Sequence, residues 1–304
     1  MIDVKRMIML RDLAEHGKVS TVADLHGVTP SAVSQQLRAL EVEARATLMH
    51  REGRGLRLTA AGSALAASCE QVLAALERAE GAVRALDDDL SGDLALGCAP
   101  SALTAVASPL AAALAERHPH LTLRITQTDP EESLPRLRCH DLDLVVSYRY
   151  HQLGAPQPSG TTAVALFDDP LVLAVPDALA DAVRHDGIGA LREMAWISAP
   201  APGSCHEILL HACRDAGFTP RIAHTYEDLR AALTLVATGL AVTILPQLMC
   251  DAPPPAVTLL PLPGRGRTIE ALVRAGSEHQ PTIAGTLATL KSVTVPLATS
   301  RVTT

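Results

Sequence analysis

Four polar side chains follow Pro30, the last three at spacings of three, four and seven residues from the first. They are Ser31, Ser34, Gln35 and Arg38, and this spacing places them on one face of a helix. The Gln35 amide is suited to a paired hydrogen bond with adenine, and the two serine hydroxyls can reach several bases. Arg38, further along the helix, is better placed for phosphate. We therefore expect this face to bind double-stranded DNA.

Three arginines lie close behind this segment, around two glycines. Arg51, Arg54 and Arg57 surround Gly53 and Gly55, and the glycines allow a tight hairpin. Arginines on such a hairpin can lie along a DNA backbone, where positive charge releases counterions. The pattern predicts a wing that contacts phosphate.

The histidines and cysteines do not form a site of recognisable chemistry. Cys205, His206, His211 and Cys213 fall within one predicted helix, on which only His206 and Cys213 can share a face, so four metal ligands would not converge. The six cysteines contain no Cys-x-x-Cys pair, and no hydrolase, metalloprotease or phosphate-loop motif occurs. We expect no catalytic residues, metal or cofactor.

The DNA-binding residues need helices to position them. Apolar residues recur with helical spacing over residues 4–14 and 20–26, and Gly17 and Gly27 follow these two segments. Thr29 and Pro30 read as the cap and first residue of a helix that continues to about Glu43 and buries Val33, Leu37 and Leu40. A short helix, a glycine turn and a helix with a polar face predict a helix-turn-helix.

A longer helix is predicted after Thr59. Its apolar positions, which we call the seam, alternate at steps of four and three residues: Leu65, Cys69, Val72, Leu76, Ala79, Val83, Leu86 and Leu90. This period of 3.5 residues is typical of a coiled coil and predicts a homodimer, in which two recognition helices read a roughly palindromic site. We expect Cys69 to be a small core residue, and Asp87–Asp89 with Ser91-Gly92 to form the helix end and a hinge.

From Asp93 onward strand-like and helix-like segments alternate, which favours mixed α/β sheets. Helices are predicted at 101–117, 204–216 and 226–238. Small ligands bind such sheets at the carboxyl ends of strands, beside helix N-termini that suit anions. By position, the best candidates for effector binding are Ser101, Thr128, Ser198 and Ser204.

The distribution of charge agrees with DNA binding at one end only. Residues 1–58 carry nine basic and seven acidic side chains, whereas the remaining residues carry 17 and 26. The N-terminus has no apolar run behind its charges, so we expect no secretory signal. Two long uncharged stretches, 94–115 and 231–250, contain Pro or Gly and read better as a strand joined to a helix than as membrane spans. We therefore expect a cytoplasmic protein with no membrane partner.

Residues 4–62 resemble the LysR-type transcriptional regulators. The resemblance rests on Thr29-Pro-Ser-Ala-Val-Ser-Gln-Gln-Leu-Arg-Ala-Leu-Glu and on the stretch from Arg51 to Leu58-Thr59-Ala-Ala-Gly62. It extends in order to about residue 292 through Asp141-Leu-Asp-Leu-Val-Val, Gly217-Phe-Thr-Pro220 and the segment 237–246. The sequence departs from the family at Arg45, where Gly is usual, and at Met49, where Phe is usual.

The resemblance implies that Pro30, Ser31, Ser34 and Gln35 face the bases and that the arginines of the wing lie on phosphate. Lys18 stands where the family commonly has Ser and can itself contact phosphate. The resemblance also implies a small-molecule effector held between two α/β subdomains of the periplasmic-binding-protein type II. It further implies frequent assembly as tetramers. RNA polymerase is a further candidate partner.

The domain boundaries follow from these patterns. The fold class is α/β overall, with an N-terminal all-α winged helix-turn-helix, a long linker helix and a two-subdomain effector domain. We assign the winged helix-turn-helix to 1–58, the linker helix and hinge to 59–91, the first effector subdomain to 92–161 plus 267–292, the second to 162–266, and a tail to 293–304.

A second hypothesis is a regulator that senses oxidants through thiols. Cys205 and Cys213 lie near the positions where peroxide-sensing members of the family carry their reactive pair. Eight residues along a helix separate two residues by about 12 Å, so a disulfide between them requires local unfolding. Cys205 would lie in the first helical turn, where a thiolate is favoured.

Overall fold

The computed structural model describes residues 1–52, 55–84, 90–154, 157–250 and 252–300. The chain forms two units. The first comprises Met1–Leu86 with two later segments, Ser159–Thr162 and Arg274–Gln280. The second comprises Asp87–Pro158, Ala163–Val273 and Pro281–Thr304.

Three short helices build the N-terminal part of the first unit. They are α1 (Val4–His16), α2 (Val19–His26) and α3 (Pro30–Ala44). Gly17 and Gly27 end the first two helices in the left-handed conformation, and Thr29 Oγ1 caps α3 by accepting from the Ala32 N–H. The helices bury one apolar face each, including Leu10, Val22, Val33, Leu37 and Leu40. The helix-turn-helix is therefore present where the sequence predicts it.

The end of α3 carries a residue in an uncommon backbone conformation. Arg45 has φ 51° and ψ 37°, and its N–H bonds back to the helix carbonyls. This left-handed position is the one that glycine occupies most easily. The departure from the family at Arg45 thus leaves the helix end in place and puts a side chain where a glycine fits better.

A two-stranded hairpin and a long helix complete the N-terminal part of the first unit, residues 1–84, which we call the head. Strands β1 (Met49–Glu52) and β2 (Gly55–Leu58) pair antiparallel, and α4 runs over Ala60–Arg84. Thr59 caps α4 through a hydrogen bond from the Gly62 N–H. A Cβ at Gly62 would lie 2.0 Å from the Leu48 carbonyl oxygen, so this position requires glycine. The predicted wing is formed, although Gly53 and Arg54 lie outside the described residues.

The seam of α4 does not form one continuous exposed stripe, and here the sequence-based prediction needs correction. Cys69 is fully buried, and Leu65 and Val72 are partly buried against the helix-turn-helix core. Leu76 and Val83 remain 45% and 71% exposed. The first half of the apolar repeat therefore packs within its own chain. Leu86 and Asp87–Asp89 lie outside the described residues, and Leu90 is not helical.

A second stripe of α4, which holds Glu70, Ala74, Glu77 and Gly81, packs against the two later segments of the first unit. Glu77 is 6% exposed and accepts from Arg274 Nε at 2.5 Å and from Gln280 Nε2 at 2.8 Å. Gly276 lies so close to α4 that a Cβ there would meet the Ala74 carbonyl oxygen at 2.3 Å. Residues 274–280 are therefore bound closely to the linker helix.

The second unit is built on one eight-stranded mixed sheet in the order β4-β3-β5-β10-β6-β9-β7-β8. Strands β3, β4 and β5 are mutually parallel, as are β7, β8 and β9, and β10 and β6 run antiparallel to their neighbours β5 and β9. The strands are β3 (Gly92–Cys98), β4 (Leu121–Gln127), β5 (Leu144–Tyr150), β6 (Thr161–Pro176), β7 (Ala195–Ser198), β8 (Arg221–Thr225), β9 (Ala241–Pro246) and β10 (Val257–Arg274).

The two halves of this sheet have the same design, which is the α/β class that the sequence predicts. Each half has three parallel strands beside one long strand that links the halves. Separate apolar clusters fill them, one around Leu96 and Ile269 and others around Trp196 and Val236. The helices are α5 (Ser108–Arg117), α6 (Pro130–Arg138), α7 (Ala180–Asp186), α8 (Ser204–Asp215), α9 (Leu229–Ala237) and α10 (Pro281–Ser300).

The C-terminal helix corrects one predicted boundary. Helix α10 continues to Ser300, and its Thr294 is 1% exposed. Residues 293–300 therefore belong to a packed helix and not to a tail. A second difference lies at 101–117, where a short turn at Pro100–Ala102 and a π-helical turn at Leu103–Ala107 precede α5.

Neither of the two long uncharged stretches forms a membrane-crossing helix. Among the described residues, every helix is too short or too polar to traverse a bilayer.

Candidate DNA interface and effector site

A concave surface of about 790 Å³ runs between α2, α3 and the hairpin of the head. Its lining includes three of the predicted phosphate contacts, Lys18, Arg38 and Arg51, together with Ser34. All three cations are exposed, and none of them forms an ion pair with another described residue. The surface thus concentrates positive charge that is free to meet an anion.

The remaining predicted DNA contacts lie on the exposed face of α3 and on β2. Pro30, Ser31 and Gln35 are exposed at the start of α3, and Arg57 is exposed on β2. Ser31 Oγ lies 2.9 Å from Thr29 Oγ1, and Ser34 Oγ donates to the Pro30 carbonyl at 2.9 Å. Because that hydroxyl hydrogen is used within the helix, Ser34 is best suited to accept a hydrogen bond from a base.

Charged groups inside the head hold its helices together. Asp12 is 6% exposed, accepts from Arg11 Nη2 at 2.7 Å, and lies 2.7 Å from Nε2 of His26. Glu41 accepts from the Leu48 and Met49 N–H groups at 2.8 and 3.1 Å. The Asp12 contact with His26 links α1 to α2, and the Glu41 contacts link α3 to the hairpin. The recognition helix α3 and the wing are therefore held in a fixed relative position.

In the second unit, a buried arginine organises a cluster of polar side chains. Arg267 on β10 is 1% exposed and donates to Asp169 Oδ2 through Nε at 3.0 Å and Nη2 at 2.9 Å. Nη2 also donates to Ser101 Oγ at 2.9 Å. The guanidinium lies 4.4 Å from the centre of the Tyr148 ring, within range of a cation–π contact. Burial lowers the pKa of Arg267, but Tyr150 and Asp169 outweigh it and the pKa is raised.

Two tyrosine hydroxyls converge on one thiol in this cluster. Cys205 Sγ lies 3.4 Å from Tyr148 Oη and 3.3 Å from Tyr150 Oη. Burial, followed by the effect of Cys205, raises the pKa of both phenols. Ser204 lies close enough to Tyr148 to lower the pKa of that phenol, although the effects of burial and Cys205 are larger. Because Ser204 and Cys205 begin α8, their N–H groups have no carbonyl partner within that helix.

The structure brings some predicted effector residues together and separates others. Ser101 and Ser204 both join the Arg267 cluster. Ser198 is buried, lies 2.9 Å from His206 Nδ1, and lines a cavity of about 10 Å³ beside Cys205 and Tyr150. Thr128 is buried at the end of β4 and donates to the Asp129 carbonyl. The cavity has room for about one water molecule.

The sequence pattern did not identify Tyr148, Tyr150, Asp169 or Arg267 as members of this site. Arg267 and Asp169 are 98 residues apart in the chain and meet only because β10 and β6 are adjacent in the sheet. One available signal was the Tyr148-Arg149-Tyr150 repeat, because two of the three tyrosines in the chain occur there on a single strand.

The second cysteine of the proposed redox pair lies in a different environment. Cys213 is fully buried, and burial raises its pKa to about 12. Cys69 and Cys98 are also buried, with pKa values raised by burial to about 11 and about 12. No cluster of three or more metal-binding side chains occurs in the described parts of the chain.

Family models match both units of the chain. Residues 4–63 match the bacterial regulatory helix-turn-helix protein of the lysR family, and residues 87–294 match the LysR substrate binding domain. These segments contain the concave surface beside α3 and the Arg267 cluster, respectively.

Individual relatives agree with the family models. A probable hydrogen peroxide-inducible genes activator of Mycobacterium avium is 32% identical over 77% of this chain and 75% of its own length. The transcriptional dual regulator GltC of Bacillus subtilis is 27% identical over 81% of each protein. Full-length CbnR in complex with its target DNA has the same fold, with a TM-score of 0.52 at 22% identity over 96% of this chain and all of that one. The chain therefore belongs to the LysR family of bacterial transcription regulators.

Proposed function

We propose that this regulator reads a specific DNA sequence through α3 and is controlled by a small molecule that binds at the Arg267 cluster. As a LysR-family member the chain is a DNA-binding transcription regulator and not an enzyme. The observation that carries the DNA-binding part is the groove in which Lys18, Arg38 and Arg51 meet the polar face of α3. Base contacts there would set specificity, and phosphate contacts would set affinity.

Two substitutions separate these roles. Gln35→Ala should change the preferred sequence in a binding selection from random duplexes, because it removes a base-reading amide. Arg51→Ala should weaken binding to all duplexes. It should also reduce the slope of the logarithm of affinity against the logarithm of salt concentration by about one, the value for one phosphate contact. If Gln35→Ala left the sequence preference intact, the assignment of α3 as the base-reading element would be wrong.

The proposed effector site rests on donors that converge within one unit. Ser101, Ser204, Tyr148, Tyr150 and the first N–H groups of α8 can each offer a hydrogen bond. The positive charge of Arg267 is already matched by Asp169, so an anionic effector would rely on the helix N-terminus. Since the cavity beside Cys205 is only about 10 Å³, an effector larger than water would require the two halves of the sheet to part.

A thermal-shift screen with a panel of small mono- and dicarboxylic acids tests this proposal. A true effector should raise the midpoint of unfolding and alter DNA affinity. Ser101→Ala and Ser204→Ala should reduce the shift, whereas Ser108→Ala, an exposed serine at the start of α5, should not. A shift that all three variants retain would place the ligand elsewhere.

The proposal includes a homodimer formed through the linker helix. Leu76, Ala79 and Val83 are exposed on α4 at heptad spacing, and pairing would cover them. Assembly of dimers into tetramers and contact with RNA polymerase are further parts of the same proposal.

One observation favours a second candidate, sensing of an oxidant by Cys205. This thiol is partly exposed, begins a helix, and has two phenols and a small cavity beside it. Peroxide would oxidise the Cys205 thiolate to sulfenic acid and be reduced to hydroxide. Several curated relatives, including the one from Mycobacterium avium, are named as hydrogen peroxide-inducible genes activators. The buried Cys213, with a pKa of about 12, is a poor second thiol.

DNA binding with and without hydrogen peroxide tests this candidate. If Cys205 alone senses peroxide, Cys205→Ser abolishes the response, Cys213→Ser keeps it, and dithiothreitol reverses it. Mass spectrometry of peptides trapped with a sulfenic-acid reagent should find the adduct on Cys205. A response lost equally in both variants would instead indicate a disulfide, and no response in the unmodified protein would exclude oxidant sensing.

A further inference from the structure

The second unit contains a cavity of about 650 Å³ that the proposed effector site does not use. Residues 168–172 of β6, residues 259–266 of β10 and the turn after β9 form its wall. We call it the proline cavity, because Pro170, Pro261 and Pro263 line it. It is much larger than the cavity of about 10 Å³ beside Cys205. Its volume falls within the range of roughly 300–1,000 Å³ that is typical of small-molecule sites.

The proline cavity and the Arg267 cluster lie on opposite faces of β6. Asp169 is part of the wall of the cavity, but its carboxylate bonds to Arg267 on the other face. Because successive side chains of a strand point to opposite faces, Pro170 and Val172 point away from that cluster. Val172 packs with Leu259 in an apolar cluster that is separate from the one around Trp196. A ligand in the proline cavity would therefore not occupy the proposed effector site.

Apolar side chains make up most of the wall. They include Pro170, Val172 and Leu259, which are at least partly buried, and Pro261 and Pro263, which are exposed. Proline has no N–H group and a ring of fixed conformation, so these residues present rigid apolar surfaces. A ligand that covered them would remove apolar surface from water, which favours binding.

The charged side chains in the described wall have partners within the chain. Arg265 forms an ion pair with Asp215 and donates to His211 Nδ1 at 3.2 Å. The hydrogen bond from Arg265 lowers the pKa of Asp215, which keeps that carboxylate ionised. Asp169 is paired with Arg267. Neither Arg265 nor Asp169 therefore needs a charged ligand for its neutralisation.

Asp168 is in contact with solvent. Its side chain is 75% exposed, accepts from Thr268 Oγ1 at 2.9 Å, and lies 3.6 Å from His151 Nε2. Water can solvate this carboxylate directly. An ion that entered the cavity would lose its own water without gaining an unmatched opposite charge in the described wall, which is costly.

We propose that the proline cavity is a second ligand site of this regulator and that its ligand is an uncharged, largely apolar small molecule. Such a ligand would contact both long strands that link the two halves of the sheet, β6 and β10. It would therefore bind the arrangement of the halves in which these two strands form the cavity. The site is separate from the proposed effector site at the Arg267 cluster.

Fluorescence titration of the full-length protein with N-phenyl-naphthylamine tests this site. The probe is neutral and fluoresces in apolar surroundings, and we expect saturable binding of one probe per chain. Anilinonaphthalene sulfonate has the same aromatic framework with an added negative charge. It should bind about tenfold more weakly or worse, because its sulfonate must be desolvated.

Pro261→Glu places a carboxylate in the wall at an exposed position. It should weaken binding of the neutral probe by about tenfold or more, whereas Pro261→Leu, which keeps the wall apolar, should retain binding. Pro119→Glu is the matched control, because it makes the same change at an exposed proline in the turn before β4 and should have no effect. Thermal unfolding of each variant verifies that it is folded.

The absence of saturable binding, or equal binding by Pro261→Glu and the unmodified protein, would overturn the inference. Equal affinity for the sulfonate would overturn the assignment of an uncharged ligand. Binding lost in Ser204→Ala but retained in Pro261→Glu would place the probe at the Arg267 cluster and so contradict a second site. Dissociation of oligomers by the probe in sedimentation velocity would also contradict it, because a second copy of the chain would then be the occupant of the cavity.

Discussion

Arg267 keeps its charge at a position that is almost inaccessible to water. Asp169 supplies the counterion, Ser101 accepts a further hydrogen bond, and the ring of Tyr148 faces the guanidinium. Asp169 is itself fully buried and accepts from the Leu248 N–H at 2.8 Å. These contacts replace the water that both ions give up on folding. The cluster depends on each partner, because a buried charge without its counterion is costly.

Arg267→Met should therefore destabilise the second unit by about 3–5 kcal/mol, since it leaves the Asp169 carboxylate buried without a cation. The double variant Arg267→Met, Asp169→Leu should recover most of this loss. Urea unfolding of the three proteins measures both effects. An equal loss in the single and double variants would mean that Arg267 acts mainly through its packing, and not through the pairing of charge.

The site was only partly predictable from single residues. Ser101 and Ser204 were identified because each follows a strand and begins a helical segment, which is a local pattern. Arg267 and Asp169 offered no such pattern, because each lies within a strand and their pairing depends on which strands are neighbours. Thr128 also follows a strand, yet its hydroxyl bonds to the adjacent Asp129 carbonyl. Position along the chain does not determine which serines and threonines converge.

At the scale of elements, the end of α3 departs from the usual chemistry of helix termini. Arg45 holds a left-handed conformation that costs a residue with a side chain about 1–2 kcal/mol. Arg45→Gly should raise the free energy of unfolding, by about 0.5–1 kcal/mol once the greater freedom of glycine in the unfolded chain is subtracted. Chemical denaturation monitored by circular dichroism measures the change.

Gly27 offers the matched control, since it ends α2 with φ 62°. Gly27→Ala should lower stability by a similar amount for the same steric reason. If Arg45→Gly were destabilising, the Arg45 side chain would be making a contact worth more than its backbone conformation costs.

The long strands explain why the sequence predicted only part of the second unit. The sequence at 171–175 and 268–273 reads as strands, and these segments form the buried ends of β6 and β10. The earlier part of β10 contains Pro261, Pro263, Gly264 and Gly266, residues typical of turns. It is nevertheless extended, because β10 continues as one strand from Val257 to Arg274.

The sequence pattern did not predict the C-terminal helix α10, because the segment is rich in threonine. Threonine is a weak helix former and can bond its hydroxyl to the backbone. In α10 these bonds form inside the helix: Thr286, Thr289 and Thr294 donate to the carbonyls of Thr282, Gly285 and Leu290. The hydroxyls are thereby satisfied internally, which allows a helix rich in threonine to be buried.

At the scale of the whole molecule, the two halves of the seam differ in exposure. Cys69 is buried in the core of the head, whereas Val83 is exposed and is part of the proposed dimer contact. Val83→Glu should weaken self-association, measured by sedimentation velocity, with little effect on the unfolding midpoint. Cys69→Glu should lower the unfolding midpoint, because it buries a charge in the head.

A monomeric state of the unmodified protein at micromolar concentration would contradict the proposed dimer. Dimerisation unchanged by Val83→Glu would place the contact on another surface. The 3.5-residue period gave no means of separating the buried half of the seam from the exposed half, because both halves share the same spacing.

The Glu77 contacts also determine how the protein can be cut into fragments. A truncated protein that stops after Arg84 would lack Arg274 and Gln280, which both donate to the Glu77 carboxylate. In that fragment Ala74 and Gly81, which lie against residues 276 and 280 in the full chain, would be exposed to solvent. A DNA-binding fragment should therefore keep α4 at least through Leu73, because Cys69, Val72 and Leu73 pack in the core of the head.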